Sequence, residues 1–406
     1  MVPEGWKKQP VGELCDSIVP GRNKPKTFDG NIPWVTTPEI KGRYIPSHHQ
    51  VNYVSEQALK EAGGKLVPAG AVVMAAVGEL GLIAITSEPI VLNQQLHAFI
   101  CSKQIYNEYL AYWLETQKSY MESIASKTTI PYLNKANCES IPVFYPALPE
   151  QKKIAQILST WDKAINITEQ LLANSQQQKK ALMQQLLIGK KRLLDENGVR
   201  FSGEWNNGKL SDIAIIDSGY AFKSNDFTES VCGVPVIRMS DFRSGGIDIS
   251  GAAKVVVEAT GGLDKFKLRA GDFIFGMSGS LSNYGWVKEN DIPCYLNQRV
   301  GRILAKECSV QLFVSYLFLS DKIQKLIIDK AAGAAQLNIS VSDLRATNIQ
   351  YPSYQEQHRI ANVLVTAENH IAAIQQKLEA LKQEKKALMQ QLLTGKRRVK
   401  VDEEAA

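Results

Sequence analysis

Apolar residues recur at alternating three- and four-residue spacing along two long stretches of the chain. The first carries Ile154, Leu158, Trp161, Ile165, Leu172, Leu182 and Leu186; the second carries Ile360, Leu364, Ala367, Ile371, Ile374, Leu378, Leu381, Leu388 and Leu392. That period predicts amphipathic helices. Neither 150–188 nor 353–394 contains glycine or proline, and proline-bearing loops (Pro146 and Pro149; Pro352) precede them. Each stops at a glycine, Gly189 or Gly395, where a left-handed cap closes a helix. A seam of this period needs a partner, and the simplest partner is the other stretch, paired antiparallel. About 38 residues at 1.5 Å each make a rod of roughly 57 Å. Packing of each helix on its own domain alone is the other arrangement. Elsewhere, short runs such as "AVVMAAV", "LIAIT", "DFIFGM" and "NYGWV", broken by Gly, Asn and Pro, predict strands, and 105–125 and 310–332 predict one helix each.

The two long stretches are copies. "QKKALMQQLLIGKKR" (178–192) returns as "EKKALMQQLLTGKRR" (384–398), and Glu150-Gln151 returns as Glu356-Gln357, all at one offset of 206 residues. Tyr145-Pro146 and Tyr351-Pro352 keep that offset. Upstream the match loosens: "IPWVTTPEI" (32–40) parallels "VPVIRMSDF" (234–242), "VPAGAVVM" (67–74) parallels "LRAGDFIF" (268–275), "LNQQL" (92–96) parallels "LNQRV" (296–300), and Trp6 parallels Trp205. A repeat of this size organises the whole chain. The expected division is a domain at 1–147, a helical spacer at 148–196, a second domain at 197–352, a second spacer at 353–400 and an acidic tail at 401–406. The fold class is α+β: two pseudo-symmetric mixed α/β domains separated by two long helices forming an antiparallel coiled coil. Domains that diverge while their connectors stay constant suggest two readers on one ruler.

Composition narrows the function. Apolar residues at 44% and charged residues at 22% are those of a globular protein, and 406 residues suffice for two or three cores. The net charge of +6 leans toward an acidic partner such as nucleic acid, and no polybasic amphipathic segment points to a membrane surface. Six cysteines without a C-x-x-C pair, and no apolar leader, imply reduced thiols in a cytoplasmic protein. "LVPAGAVVMAAVGELGLIAIT" (66–86) carries Pro68, Glu79 and glycines, which favours strands with a turn over a membrane span. Catalytic signatures fail on inspection. "GEWNNGKL" ends in Leu210 where a phosphate-binding loop needs Ser or Thr; "IPYLN" lacks the flanks of an adenine-methyltransferase motif; "GMSGS" lacks the nucleophile-elbow spacing; and His48-His49 reads as a solvated turn rather than a metal site.

The ordered pairs "LPEQKKIAQILS"/"YQEQHRIANVL" and "QQLLIGKKR"/"QQLLTGKRR", with "GDFIFGMSG", the two "LNQ" elements and the "FSGEW" restart at Phe201, resemble the specificity (S) subunit of type I restriction-modification systems. The resemblance spans essentially the whole chain. It implies two target-recognition domains that each read half of a bipartite double-stranded DNA site, held apart by the helical regions. It also implies a chain without catalytic activity or cofactor of its own. Two modification subunits, carrying S-adenosylmethionine for adenine methylation, and restriction subunits would be its partners.

The candidate DNA contacts sit in loops that differ between the copies, where a shared scaffold carries variable readout. They are Arg22, Lys24, Lys26, Lys41, Arg43, Lys127 and Thr128 in the first domain, and Tyr220, Lys223, Arg238, Arg243 and Arg299 in the second. Lysines suit phosphates and arginine suits guanine edges; each is also of a type found as a plain solvated charge. "LNQ", being common to both copies, is expected to support the fold more than to discriminate bases. "GKKR" and "GKRR" complement a helix C-terminus, bind the DNA backbone or dock a subunit. The spacer residues expected to dock partners are Trp161, Leu182, Met183, Leu186, Leu187, Leu388, Met389, Leu392 and Leu393. A protein-binding coiled-coil scaffold and a bifunctional DNA methyltransferase are the alternative readings.

Overall fold

A computed structural model describes residues 2–21, 23–46, 52–126, 129–243, 246–278, 283–331 and 338–401. The chain divides into two compact units, one comprising Met1–Glu169 with Gln376–Ala406 and the other Gln170–Gln375. The division falls inside both long helices, Leu148–Leu186 and Tyr354–Leu392. Each unit therefore takes one part of either helix, cutting across the linear segments 148–196 and 353–400.

The central sheet of the first unit runs in the order Cys15–Ile18, Leu96–Cys101, Val72–Ala75, Ile83–Thr86 and Tyr44–Ile45. That of the second runs Ala214–Ser218, Val300–Ala305, Phe273–Gly276 and Tyr284–Trp286. Val72–Ala75 and Ile83–Thr86 are buried throughout, which is why 66–86 reads as one greasy run although it is strand, turn, strand. The registers repeat as well as the order: Val72 faces Phe99 where Phe273 faces Ile303, and Cys15 faces Cys101 where Ala214 faces Ala305. A smaller sheet in each unit has the same parallel contact, Trp34 beside Val91 and Val236 beside Tyr295. The loosely matched sequence pairs thus occupy equivalent ladder positions. Helices Asn107–Thr116 and Gln311–Phe318 bury their aromatic faces in the two largest cores.

Within each unit the long helices run antiparallel. In the first, Lys385 Nζ lies 2.5 Å from Asp162 and Lys382 Nζ 2.8 Å from Glu169, so numbering rises on one helix as it falls on the other. In the second, Lys179 Nζ lies 3.3 Å from Glu368. Among the apolar seam positions, Ile154, Leu158, Leu186, Ile360, Leu364 and Leu392 are buried in the cores of the units, and Ile165, Ile374 and Leu378 are buried nearer the middle of the helices.

The constant dipeptides are clips. Gln151 accepts the Tyr106 N–H at 2.8 Å and donates to the carbonyls of Gln104 and Pro146. Gln357 likewise accepts from the Val310 N–H and donates to the Pro352 carbonyl, both at 3.1 Å. The neighbouring glutamates take the basic helix ends. Arg192 donates from Nε and Nη2 to the two oxygens of Glu356 at 2.6 and 2.7 Å, and Arg398 donates to Glu150 at 2.7 and 2.8 Å. Each connector's final arginine thus grips the first turn of the other connector. The capping glycines, at φ +72° and +67°, lie against Trp205 in one unit and Pro3 and Trp6 in the other, so a side chain there meets both strain and a packed ring.

These contacts correct the expectation for the repeated "KKALMQQLL". Leu186 and Leu187 are fully enclosed in the core of the second unit, with Leu182 and Met183 packed against it. Leu392 and Leu393 enter the core of the first, with Leu388 and Met389 beside them. A leucine enclosed in a core cannot also meet a partner subunit, so Leu186, Leu187, Leu392 and Leu393 complete their own units rather than dock others. Trp161 is half-buried.

Candidate nucleic-acid interface

In the first unit the strand Ile32–Val35 presents Trp34, and the preceding loop lays Phe28 against it with ring centroids 5.0 Å apart. The Lys24 ammonium lies 5.4 Å from Phe28 and 5.3 Å from Trp34, held by the negative faces of both rings. A cavity of about 240 Å³ opens beside Lys24 and Trp34, with Asn93, Gln94 and Gln95 on its wall. Lys26 and Lys41 are exposed. Arg22, Lys127 and Thr128 fall outside the described residues, as do His48, His49 and 402–406 of the acidic tail.

The second unit builds a larger aromatic face. Tyr220 packs on Phe222 at 5.0 Å and Phe266 at 5.5 Å, and Phe222 touches Phe227 and Tyr295 edge-on. Two cations lie over it: Lys265 Nζ at 4.7 Å from Phe266, and Arg238 at 6.0 Å from Phe227. Lys223 and Arg299 are exposed. Arg243 pairs with Asp248 at 3.7 Å and donates to the Ser240 and Phe242 carbonyls, which leaves it exposed but partly committed. The loop carrying Lys265 and Phe266 is pinned by Arg302, which pairs with Asp272 at 3.2 Å and donates to the carbonyls of Lys265 and Lys267. Lys265, Phe266 and Arg302 are absent from the sequence-derived set; the alternation of basic and aromatic residues in "DKFKLR" is the signal that finds them.

Arg43 is a correction. Its Nη2 lies 2.7 Å from Glu115, its Nε 3.3 Å from Asp162, and its guanidinium stacks 3.6 Å from the centre of Tyr112. Tyr112 donates to Asp162 at 2.5 Å, and Lys385 pairs with the same carboxylate. Burial opposes ionisation of Asp162, yet the hydrogen bonds from Lys385 and Tyr112 and the charges of Lys385 and Arg43 hold it below the usual carboxylate range. Burial raises the Glu115 carboxyl in spite of Arg43. The Arg43 charge is therefore spent inside the unit, joining its sheet to the first connector helix, and is not presented to DNA.

"LNQ" serves the fold. Asn93 donates its N–H to the Val35 carbonyl and its Oδ1 accepts from the Gln95 N–H at 3.1 Å; Asn297 donates to the Ile237 carbonyl and accepts from the Arg299 N–H at 3.4 Å. The shared asparagines turn the chain, and the residue two beyond each, Gln95 against Arg299, differs where the faces differ. Among the described residues there is no cluster of metal-ligating side chains, and no helix is long and apolar enough to cross a membrane.

The same architecture recurs in known proteins. The profile of the type I restriction modification DNA specificity domain matches residues 3–174 and again 202–383. The type I restriction enzyme MjaVIII specificity subunit of Methanocaldococcus jannaschii is 30% identical over 303 residues, covering 72% of this chain and 70% of that protein. The EcoBI specificity subunit of Escherichia coli is 24% identical over 295 residues, 68% and 61% of the two chains. The crystal structure of a type I restriction-modification S subunit from M. genitalium superposes over 96% of both chains with a TM-score of 0.58 at 15% identity. A structure described as underlying complex assembly and conformational transition of the type I R-M system does so over 98% of this chain and 100% of its own, with a TM-score of 0.61 at 17% identity. At those identities the likeness is one of fold. With both halves of the sequence matched and both halves of the structure built on one register, the chain belongs to the type I restriction-modification DNA specificity family.

Proposed function

We propose that the chain is the DNA-specificity subunit of a type I restriction-modification complex. Each unit reads one half of a bipartite site, and the paired connectors set the unread gap. The chain itself carries no reaction. It docks two modification subunits, which hold S-adenosylmethionine and methylate adenine, and restriction subunits join the assembly in the cytoplasm. The observation that carries this reading is the contrast between the two aromatic-basic faces. Loops beside the equivalent strands Ile32–Val35 and Val234–Ile237 place Lys24 over Phe28 and Trp34 in one unit, and Lys265 and Arg238 over a five-ring cluster in the other. One scaffold with two different faces suits two different half-sites. Lysines over aromatic rings offer phosphate contacts at the edge of an apolar surface that meets bases or sugars.

Exchange of residues 1–145 for those of another family member is expected to alter one half of the methylated sequence and leave the other half and the gap unchanged. Methylome sequencing of cells carrying parent and chimera reads this directly; a change in both halves would refute modular readout. The electrostatic part is tested in the assembled complex by titrating salt. Lys26→Ala and Lys223→Ala are each expected to reduce the slope of log affinity against log salt by about 1. Arg43→Ala should leave that slope unaltered, because its charge already faces Glu115 and Asp162. An equal effect from Arg43→Ala would place that guanidinium at a phosphate.

A further inference from the structure

The Tyr112–Asp162–Lys385 node of the first unit has a counterpart in the second. Tyr316 donates to Glu368 at 2.5 Å, Lys179 pairs with that carboxylate at 3.3 Å, and the Lys179 ammonium lies 5.5 Å from the Tyr316 ring. The surroundings differ. In the first unit Arg43 covers Tyr112 and is anchored by Glu115, three residues further along the helix. In the second the residue three beyond Tyr316 is Leu319, and among the described residues no arginine covers the ring. A cavity of about 520 Å³ stands there, walled by Met183, Ile188, Tyr284, Tyr316 and Leu319.

The chemistry of the wall specifies the occupant. Replacement of Glu115 by Leu319 removes the carboxylate that would hold a guanidinium, so the filler is apolar. Ile188, 47% exposed, and the two tyrosine rings supply apolar area that water covers poorly. Lys180 and Lys322 also line the cavity, are exposed, and have no acidic partner within salt-bridge distance among the described residues. The single lining carboxylate, Asp321, already accepts from Gln184 at 2.8 Å. Two ammonium groups beside an apolar pocket complement an apolar side chain flanked by a carboxylate. A bare DNA phosphate would leave the apolar wall unused.

We propose that this cavity receives an apolar side chain, flanked by an acidic one, from a segment of a modification subunit, and that the equivalent place in the first unit is filled by the chain's own Arg43 and Glu115. The inference rests on the docking of modification subunits proposed above and makes the two docking sites unequal. The test is titration of the whole chain with its cognate modification subunit, followed by native mass spectrometry and calorimetry. The unaltered chain is expected to take up two modification subunits in two steps. Lys180→Glu with Lys322→Glu, both on exposed side chains, should weaken one step at least tenfold and change the other less than twofold. Leu319→Glu, which places a carboxylate in the cavity, should weaken the same step. Two unchanged steps, or two steps weakened alike, overturn the cavity assignment while leaving subunit docking intact. Loss of DNA affinity with both steps intact also overturns it, since the lysines would then be phosphate contacts. Uptake of no modification subunit by the unaltered chain overturns both the assignment and the docking it rests on.

Discussion

Arg192→Ala is expected to destabilise the second unit by about 3–5 kcal/mol, the range for removing one partner of a buried pair. Glu356 is 1% exposed and receives both of its bidentate hydrogen bonds from this one side chain. Without the guanidinium the carboxylate loses both of those charge-assisted hydrogen bonds at a place the unit otherwise encloses. Arg192→Lys should recover little, because a single ammonium cannot serve both oxygens in that geometry. The equivalent Arg398→Ala is expected to cost less. Glu150 is 6% exposed, and the Arg398 side chain is 49% exposed against 21% for Arg192, so water screens the remaining charge more readily. Urea unfolding of both variants, with hydrogen exchange to locate the affected unit, gives the comparison. A loss below about 1 kcal/mol for Arg192→Ala would place the pair among ordinary surface ion pairs.

Deleting the C-terminal residues from 387 onward should unfold the N-terminal recognition unit and spare the other. The deletion removes Leu388, Met389, Leu392 and Leu393 from a core that also holds Trp6, Leu14 and Tyr109. At about 1.5–3 kcal/mol per fully buried side chain, Leu392 and Leu393 alone amount to roughly 3–6 kcal/mol, and the partly buried Leu388 and Met389 add to it. That is a large share of the stability of an ordinary domain, about 5–15 kcal/mol. The deletion also takes Arg398 from Glu150 and Gly395 from the Trp6 ring. Hydrogen exchange is the decisive readout. Amides of Val72–Ala75 and Leu96–Cys101 should lose protection, while those of Phe273–Gly276 and Val300–Ala305 keep theirs. Retained protection in the first pair would show that the helix end is an accessory to that core. Leu392→Ala alone is a milder form of the same experiment, expected to cost about 2–5 kcal/mol.

Much of the architecture was legible in the residues. The helix period, the absence of Gly and Pro, and the terminal glycines set the limits of both connectors to within a few residues, because backbone sterics and hydrogen bonding act locally. The 206-residue offset disclosed the duplication. Even the gapped pairs, such as "VPAGAVVM" with "LRAGDFIF", proved to share strand registers, since a buried strand that slips by one residue turns its apolar face outward. The aromatic-basic character of the reading loops was legible in part: Lys24 and Tyr220 were found, whereas Lys265 and Phe266 stand where the other copy has Gly64 and Lys65, with no ring to mark the place.

What periodicity reports is that a face is buried, not what buries it. "KKALMQQLL" is apolar and repeated, which from sequence alone suits a partner subunit as well as a recognition core; only the folded chain shows Leu392 and Leu393 closing the first unit and Leu186 and Leu187 closing the second. Charge has the same blindness. Arg43 in a polar loop reads as a DNA contact until Glu115 and Asp162, 72 and 119 residues away, are seen to neutralise it. Glu150 carries no mark of the arginine that holds it from 248 residues downstream. The residues by themselves determined the two long helices, the central buried strands, the duplication and the family, while the single helices expected over 105–125 and 310–332 are each broken in two. Tertiary structure alone decided which apolar and charged groups were already spent within the chain, because that depends on contacts between segments far apart in sequence.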